Sequence, residues 1–243
     1  MTTLIIDERP DRTFVTLNRP DARNAIDQAM VDELHQVCER LEREPQVLVI
    51  SGAGGIFASG ADIRELRERR RDDALAGINT TLFTRIADLP MPVIAAIDGY
   101  ALGGGAELAY AADFRIGTPA LKIGNPEVSL GIIAAAGATW RLAELVGEPV
   151  AKEILLAGRV LGAEEALALH LVSEIHEPDD LLTAADALAD RILRGEPAAI
   201  QATKRALAAP RSAHPVIELE SQAILFESDA KHQRMTAFLE RRK

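Results

Sequence analysis

The stretch Val93-Ile94-Ala95-Ala96-Ile97-Asp98-Gly99-Tyr100-Ala101-Leu102-Gly103-Gly104-Gly105-Ala106-Glu107-Leu108 decides the fold. Its first five residues are apolar without alternation, the pattern of a strand buried on both faces. Asp98-Gly99 turns the chain, and after the glycine run residues 106–112 read as a helix of small side chains. A second strand-to-helix passage lies upstream. There Val47-Leu48-Val49-Ile50 enters the flexible loop Ser51-Gly52-Ala53-Gly54-Gly55, and residues 62–71 follow as a helix with a strongly charged face.

Working outward, residues 4–7 and 13–18 are short, rich in β-branched and aromatic residues, and separated by a charged turn with Pro10, which reads as a hairpin. From Asp27, a candidate N-cap, Met30, Leu34, Val37 and Leu41 fall at helical spacing until Pro45. Residues 79–89 form another helix, stopped by Pro90 and Pro92. Residues 114–117 and 121–124 read as short strands. Beyond Gly131 helical patterns dominate, over 139–145, 149–157, 163–169, 181–193, 197–207 and a long segment 216–239, with one strand at 172–175. The expectation is an α/β chain, a strand-rich core over 1–190 followed by a helical C-terminal extension over 191–243.

The 243 residues carry 27 basic against 37 acidic side chains, a formal net charge of −10, with 48% apolar residues. This is the composition of a globular chain with a real core, neither disordered nor fibrous. The acidic balance argues against nucleic-acid binding, which needs a basic footprint. The single cysteine, Cys38, excludes an internal disulfide and any multi-cysteine metal site. It sits in the amphipathic segment around Leu34 and reads as a core side chain, not a nucleophile. Such cysteine usage fits a reducing cytoplasm. The N-terminal residues lack the basic and long apolar regions of a signal peptide, and their acidic residues disfavour a transit peptide. The longest uncharged run, 128–140, is too short to cross a bilayer.

Several motifs fail. GxGxxG at Gly52 and Gly54 meets Phe57, and at Gly103 and Gly105 it meets Leu108. There is no P-loop and no GxSxG elbow. His35, His170, His176, His214 and His232 show no ligand spacing, so no metal site is expected. What remains is a pair of loops that enter helices through small residues, Gly60-Ala61-Asp62-Ile63 and Gly103-Gly104-Gly105-Ala106-Glu107. Small side chains expose backbone N–H groups to a ligand, and a helix start aims free donors outward. Two such starts facing each other can hold a carbonyl oxygen as it gains negative charge. Glu107 lies about one helical turn after Gly104, and Glu127 follows Pro126 in an apolar stretch. Each feature also has a plain reading: glycines for close packing, Glu107 as a helix surface residue, Glu127 as a cap. The run Arg67-Arg69-Arg70-Arg71 reads as a solvated helix face, with contact to phosphates as the alternative.

These residues closely resemble the crotonase, or enoyl-CoA hydratase/isomerase, superfamily. The likeness begins at Val15-Thr16-Leu17-Asn18-Arg19-Pro20 with Arg23-Asn24-Ala25. It runs through Gly60-Ala61-Asp62-Ile63, residues 99–107, Pro126-Glu127 and Leu130-Gly131, and closes at Thr203-Lys204 and Ala237-Phe238-Leu239-Glu240. It implies a spiral of ββα units with a helical C-terminal trimerisation region, a homotrimer or dimer of trimers, and an acyl-CoA thioester as ligand. CoA would be part of the substrate, with no further cofactor. By position, the N–H groups of Ala61 and Gly104 would form an oxyanion hole. Ala25, Ala61, Asp62 and Ile63 would line the adenine and pantetheine path, and Arg23 would meet a CoA phosphate. Glu127 would deliver a proton and Glu107 would activate water.

The two glutamates favour hydration of a 2-enoyl-CoA to a 3-hydroxyacyl-CoA over double-bond isomerisation, which needs only one base; another crotonase-type acyl-CoA reaction is the further alternative within the family. A catalytically weak acyl-CoA-binding protein is the rival from outside enzymology. It is motivated by one departure: Ala135 and Ala138 stand where the family often has glycine. Alanine resists positive φ, so a loop N–H near the catalytic water is expected to be displaced. Trp140 is a further unusual occupant, bearing on acyl-chain selectivity.

Overall fold

A computed structural model describes residues 2–241. The chain divides into two compact units, Met1–Ala189 and Asp190–Lys243. In the first, β1 (Leu4–Glu8) and β2 (Arg12–Leu17) form the expected antiparallel hairpin, with Leu4 opposite Leu17. Helix α1 (Gln28–Arg43) follows. Its N-cap Asp27 accepts from the Met30 N–H at 2.9 Å, satisfying one of the free donors of the first turn. The stripe Met30, Leu34, Val37, Cys38 and Leu41 is buried, and burial pushes the Cys38 thiol up to about 12. That disposes of a thiolate nucleophile there.

The chain then alternates between two sheets. Strand β3 (Val47–Gly52) is followed by α2 (Ile63–Glu68), α3 (Arg71–Ala76) and α4 (Ile78–Ala87). Next come β4 (Val93–Ile97), β5 (Tyr100–Leu102), α5 (Gly104–Ala111), β6 (Phe114–Gly117) and β7 (Lys122–Gly124). Then follow α6 (Ala138–Val146), α7 (Glu148–Ala157), β8 (Val160–Gly162), α8 (Ala163–Ala168), β9 (Glu174–Ile175) and α9 (Leu181–Leu193). The large sheet runs β1-β2-β3-β4-β6-β9 and the small one β5-β7-β8. All neighbours in the large sheet beyond the first hairpin are parallel, which is why β4 and the first four residues of β3 are apolar runs, buried on both faces.

The turn β4-β5-α5 puts one strand in each sheet and then a helix, and β6-β7 begins another. Earlier turns do the same with the second strand shrunk to a single residue: Ile26 bridges Ala61, and Ala58 bridges Ala101, both in parallel. This is the ββα spiral expected from the resemblance. It brings the start of α5 so close to residue 58 that a β-carbon on Gly105 would stand 2.3 Å from the Ala58 carbonyl oxygen. Only glycine fits there.

The boundaries expected over 62–71, 172–175 and 216–239 are corrected. The charged helix breaks at Arg69 and Arg70, which are extended, and the Asp73 carboxylate accepts from the Arg70 N–H at 2.8 Å to start α3. No apolar stripe runs through this segment to keep one helix continuous. The strand near 172 shortens to β9. The long C-terminal segment is two helices: the second unit holds α10 (Pro197–Ala208), α11 (Val216–Phe226) and α12 (Asp229–Glu240). α12 is started by Ser228, which accepts from the Lys231 N–H at 3.2 Å. Among the described residues no helix is long and apolar enough to cross a membrane.

Candidate active site

Two backbone amides and two carboxyl groups converge on one cleft of about 870 Å³ in the first unit. The amides belong to Ala61 and Gly104. The Ile26 bridge fixes the first, because Ile26 donates to the Gly60 carbonyl at 2.8 Å and accepts from the Asp62 N–H at 2.9 Å. These bonds straddle Ala61 and leave its N–H free. Gly104 opens α5, where an N–H has no partner inside the helix. A β-carbon built on Gly104 would stand 3.3 Å from the Ala61 nitrogen, so the two amides are neighbours. Among the described residues neither donates to the protein.

Glu107 sits in the first turn of α5 and is 4% exposed. Its Oε1 accepts from the N–H groups of Ala136 at 2.7 Å and Ala138 at 3.1 Å. Burial pushes its carboxyl up to about 7, against those two hydrogen bonds, and the charge of Glu127 pushes the same way. Glu127 opens a 3-10 turn over Glu127–Leu130 and is also buried. Its Oε1 accepts from Asn125 Nδ2 at 3.3 Å, while the buried Oε2 has no partner. Burial raises this carboxyl too.

The raised carboxyl of Glu107 has a consequence for stability. Its folded pKa lies above the ordinary 4.5. The stabilisation it contributes is therefore full below about pH 4.5 and is lost as pH rises through about 7. Glu107→Gln keeps an acceptor for both amides without burying charge. At pH 8 it is expected to be more stable than the parent chain, by up to about 3 kcal/mol. The gain should vanish near pH 5. Denaturant midpoints at the two pH values check this, and a pH-independent difference would contradict it.

The loop that supplies the two amides corrects the expectation of displacement at Ala135 and Ala138. The positive-φ residues of this loop are glycines, Gly131 (φ 75°) and Gly137 (φ 131°), and neither alanine is left-handed. No strain arises, and the Ala138 N–H is held on Glu107. Ala135 lines the cleft and its carbonyl accepts from the Thr80 hydroxyl at 3.1 Å. Trp140 is not part of the cleft wall; it is 43% exposed and stacks with the Arg141 guanidinium at 5.1 Å.

Of the other residues singled out in the sequence, Ala25, Asp62 and Ile63 line the cleft. Asp62 also caps α2 and pairs with Arg19 at 3.1 Å. Arg23 does not reach the cleft. It is exposed and left-handed, with φ 52°. The arginine on the wall at this end is Arg19, which bridges Asp27 and Asp62, each at 3.1 Å, and donates to the Ala25 carbonyl. Of the basic run, Arg69 and Arg70 line the cleft, whereas Arg67 and Arg71 are solvent-exposed and paired with Glu68 and Asp72. Asn79, Asn125 and the loop amide of Ala136 were not singled out in the sequence. Only Asn125 had a local signal, its place directly before Pro126-Glu127.

The family model for enoyl-CoA hydratase/isomerase matches residues 13–243. The chain belongs to the enoyl-CoA hydratase/isomerase family. Among similar proteins is a short-chain-enoyl-CoA hydratase of Clostridium acetobutylicum, 34% identical, the match covering 100% of this chain and 97% of the relative. Another is a 2,3-dehydroadipyl-CoA hydratase of Escherichia coli, 35% identical, covering 100% and 97%. The crystal structure of an enoyl-CoA hydratase from Bacillus anthracis superposes with a TM-score of 0.93 at 30% identity, covering 98% of this chain and 96% of that one. The crotonase-type fold of this enoyl-CoA hydratase/isomerase family member thus extends over both units.

Proposed function

We propose that the chain adds water to 2-enoyl-CoA thioesters, giving 3-hydroxyacyl-CoA, with Glu107 and Glu127 as the working carboxyls. The observation that carries this reading is their shared cleft. Each carboxyl is buried there with one oxygen that accepts no hydrogen bond among the described residues, beside two amides that are equally free. The free amides of Ala61 and Gly104 would hold the thioester oxygen as the enolate forms, worth about 10²–10³ in rate per donor in comparable sites. The carboxyls of Glu107 and Glu127 would hold one water between them. Glu107, poised near neutral pH, takes a proton from that water as its oxygen bonds to Cβ. Glu127, whose carboxyl burial raises, gives a proton to Cα. The reaction is redox-neutral and calls for no cofactor beyond the CoA portion of the substrate.

The hydratase names carried by the relatives support the same reading. The arginines Arg64, Arg69 and Arg70 along the cleft wall suit the phosphates of CoA. We further propose a homotrimer or dimer of trimers in the cytoplasm, formed through the C-terminal helices. The second unit exposes Leu207, Leu219, Ile224 and Phe238, an apolar surface of the kind a subunit interface covers.

The test follows loss of the conjugated enoyl-thioester absorbance with the purified protein, across short, medium and branched enoyl-CoAs. Turnover on at least one is expected. Tight binding of all with turnover of none would replace the hydratase with an acyl-CoA-binding protein. Appearance of conjugation from a 3-enoyl-CoA without hydration would replace it with an isomerase.

A further inference from the structure

Glu127 is held by a chain of side chains that starts outside the cleft. Tyr110, on α5 one turn beyond Glu107, is 3% exposed and forms no part of the cleft wall. Its hydroxyl donates to Asn125 Oδ1 at 3.1 Å. Asn125, 1% exposed, in turn directs Nδ2 to the Gly103 carbonyl and to Glu127 Oε1, each at 3.3 Å.

An asparagine amide has an accepting end and a donating end, and packing alone hardly distinguishes them. Turned over, Asn125 would set its oxygen against the Gly103 carbonyl and the Glu127 carboxyl, two acceptors. Those two acceptors claim the donating end of the amide, which leaves Oδ1 for the Tyr110 hydroxyl, and the phenol holds the amide at that end.

We propose that Tyr110 is a positioning residue: its hydroxyl anchors the Asn125 amide in place, and that amide sets the geometry and proton affinity of Glu127. The catalytic consequence rests on the hydratase reading, while the electrostatic one does not. The other charged groups around this chain are Glu107 and Arg115, both felt by Tyr110, and Arg141 on α6, which faces Glu107. None of them supplies a donor to Glu127.

The sign follows from the donor. An N–H on Oε1 favours the ionised carboxyl, so losing or loosening it raises the pKa. The experiment titrates the protein by carbon NMR with labelled glutamate, identifying the Glu127 carboxyl by its loss in Glu127→Gln. In Tyr110→Phe its midpoint is expected to rise by roughly half to one pH unit. Asn125→Leu should give a similar rise, and the double variant no more than either alone. In the hydratase assay the alkaline limb of kcat/KM should move up with the titration, kcat falling more than KM changes. A Glu127 titration unmoved by Tyr110→Phe would overturn the proposal whatever the enzyme's activity. Absence of hydratase turnover in the parent chain would instead remove the hydratase reading, with the titration still deciding this one.

Discussion

Glu127→Gln is expected to lower kcat for enoyl-CoA hydration by about 10²–10⁴-fold, the usual weight of a positioned acid or base. It should leave KM and acyl-CoA affinity nearly unchanged. Glutamine has almost the same shape and keeps an oxygen for Asn125 Nδ2, so the bond at 3.3 Å survives. What it lacks is a transferable proton on the second oxygen, the buried Oε2 that has no partner in the protein. The loss therefore falls on the transition state and shows in kcat. Glu107→Gln should fall within the same range, and the double variant should lose far less than the product of the two, because both act on one water. Stopped-time assays with one enoyl-CoA, alongside calorimetric binding of the matching saturated thioester, separate the quantities. Full turnover in Glu127→Gln would sink the two-carboxylate mechanism.

Gly104→Ala is expected to cost about 10²–10³-fold in kcat/KM, the cost of disabling an oxyanion donor, with stability kept or slightly raised. The new methyl would lie 3.3 Å from the Ala61 nitrogen and 3.4 Å from Asn79 Nδ2. It would occupy the space where a thioester oxygen meets both amides. The backbone there is not left-handed, and alanine is the better helix former by up to about 1 kcal/mol. Poor folding would therefore not explain the lost activity. Thermal midpoints beside initial rates make the comparison. Unimpaired turnover would place the thioester oxygen elsewhere in the cleft.

The parts of the site that could be read from the sequence are those with local causes. Gly104 and Glu107 share a helix start, and Glu127 follows a proline in an apolar run. Those residues sit where the reading placed them. What could not be read depends on which distant segments meet. The three-residue strand Tyr100–Leu102 is hidden between glycines and exists only because Ala58 and β7 lie on either side. Arg23 and Arg19 are both plausible from the same motif. The left-handed turn at Arg23 and Asn24 sends one outward, while the other is drawn inward by Asp27 and Asp62. The alanines at 135 and 138 suggested a damaged loop by composition alone. The left-handed positions of that loop fall on Gly131 and Gly137 instead, and the loop is intact.

The single-residue bridges Ile26–Ala61 and Ala58–Ala101 also govern when the site comes into being during folding. Each joins segments far apart in the chain, so each closes a long loop whose entropy is lost before the contact is gained. The first bridge has no strand behind it, and the second has only the three-residue β5. The pair of free amides thus cannot form locally and ahead of the sheets. Regain of catalysis on refolding is accordingly expected to lag behind helix formation and the burial of β3 and β4, which stopped-flow circular dichroism beside double-jump activity assays checks.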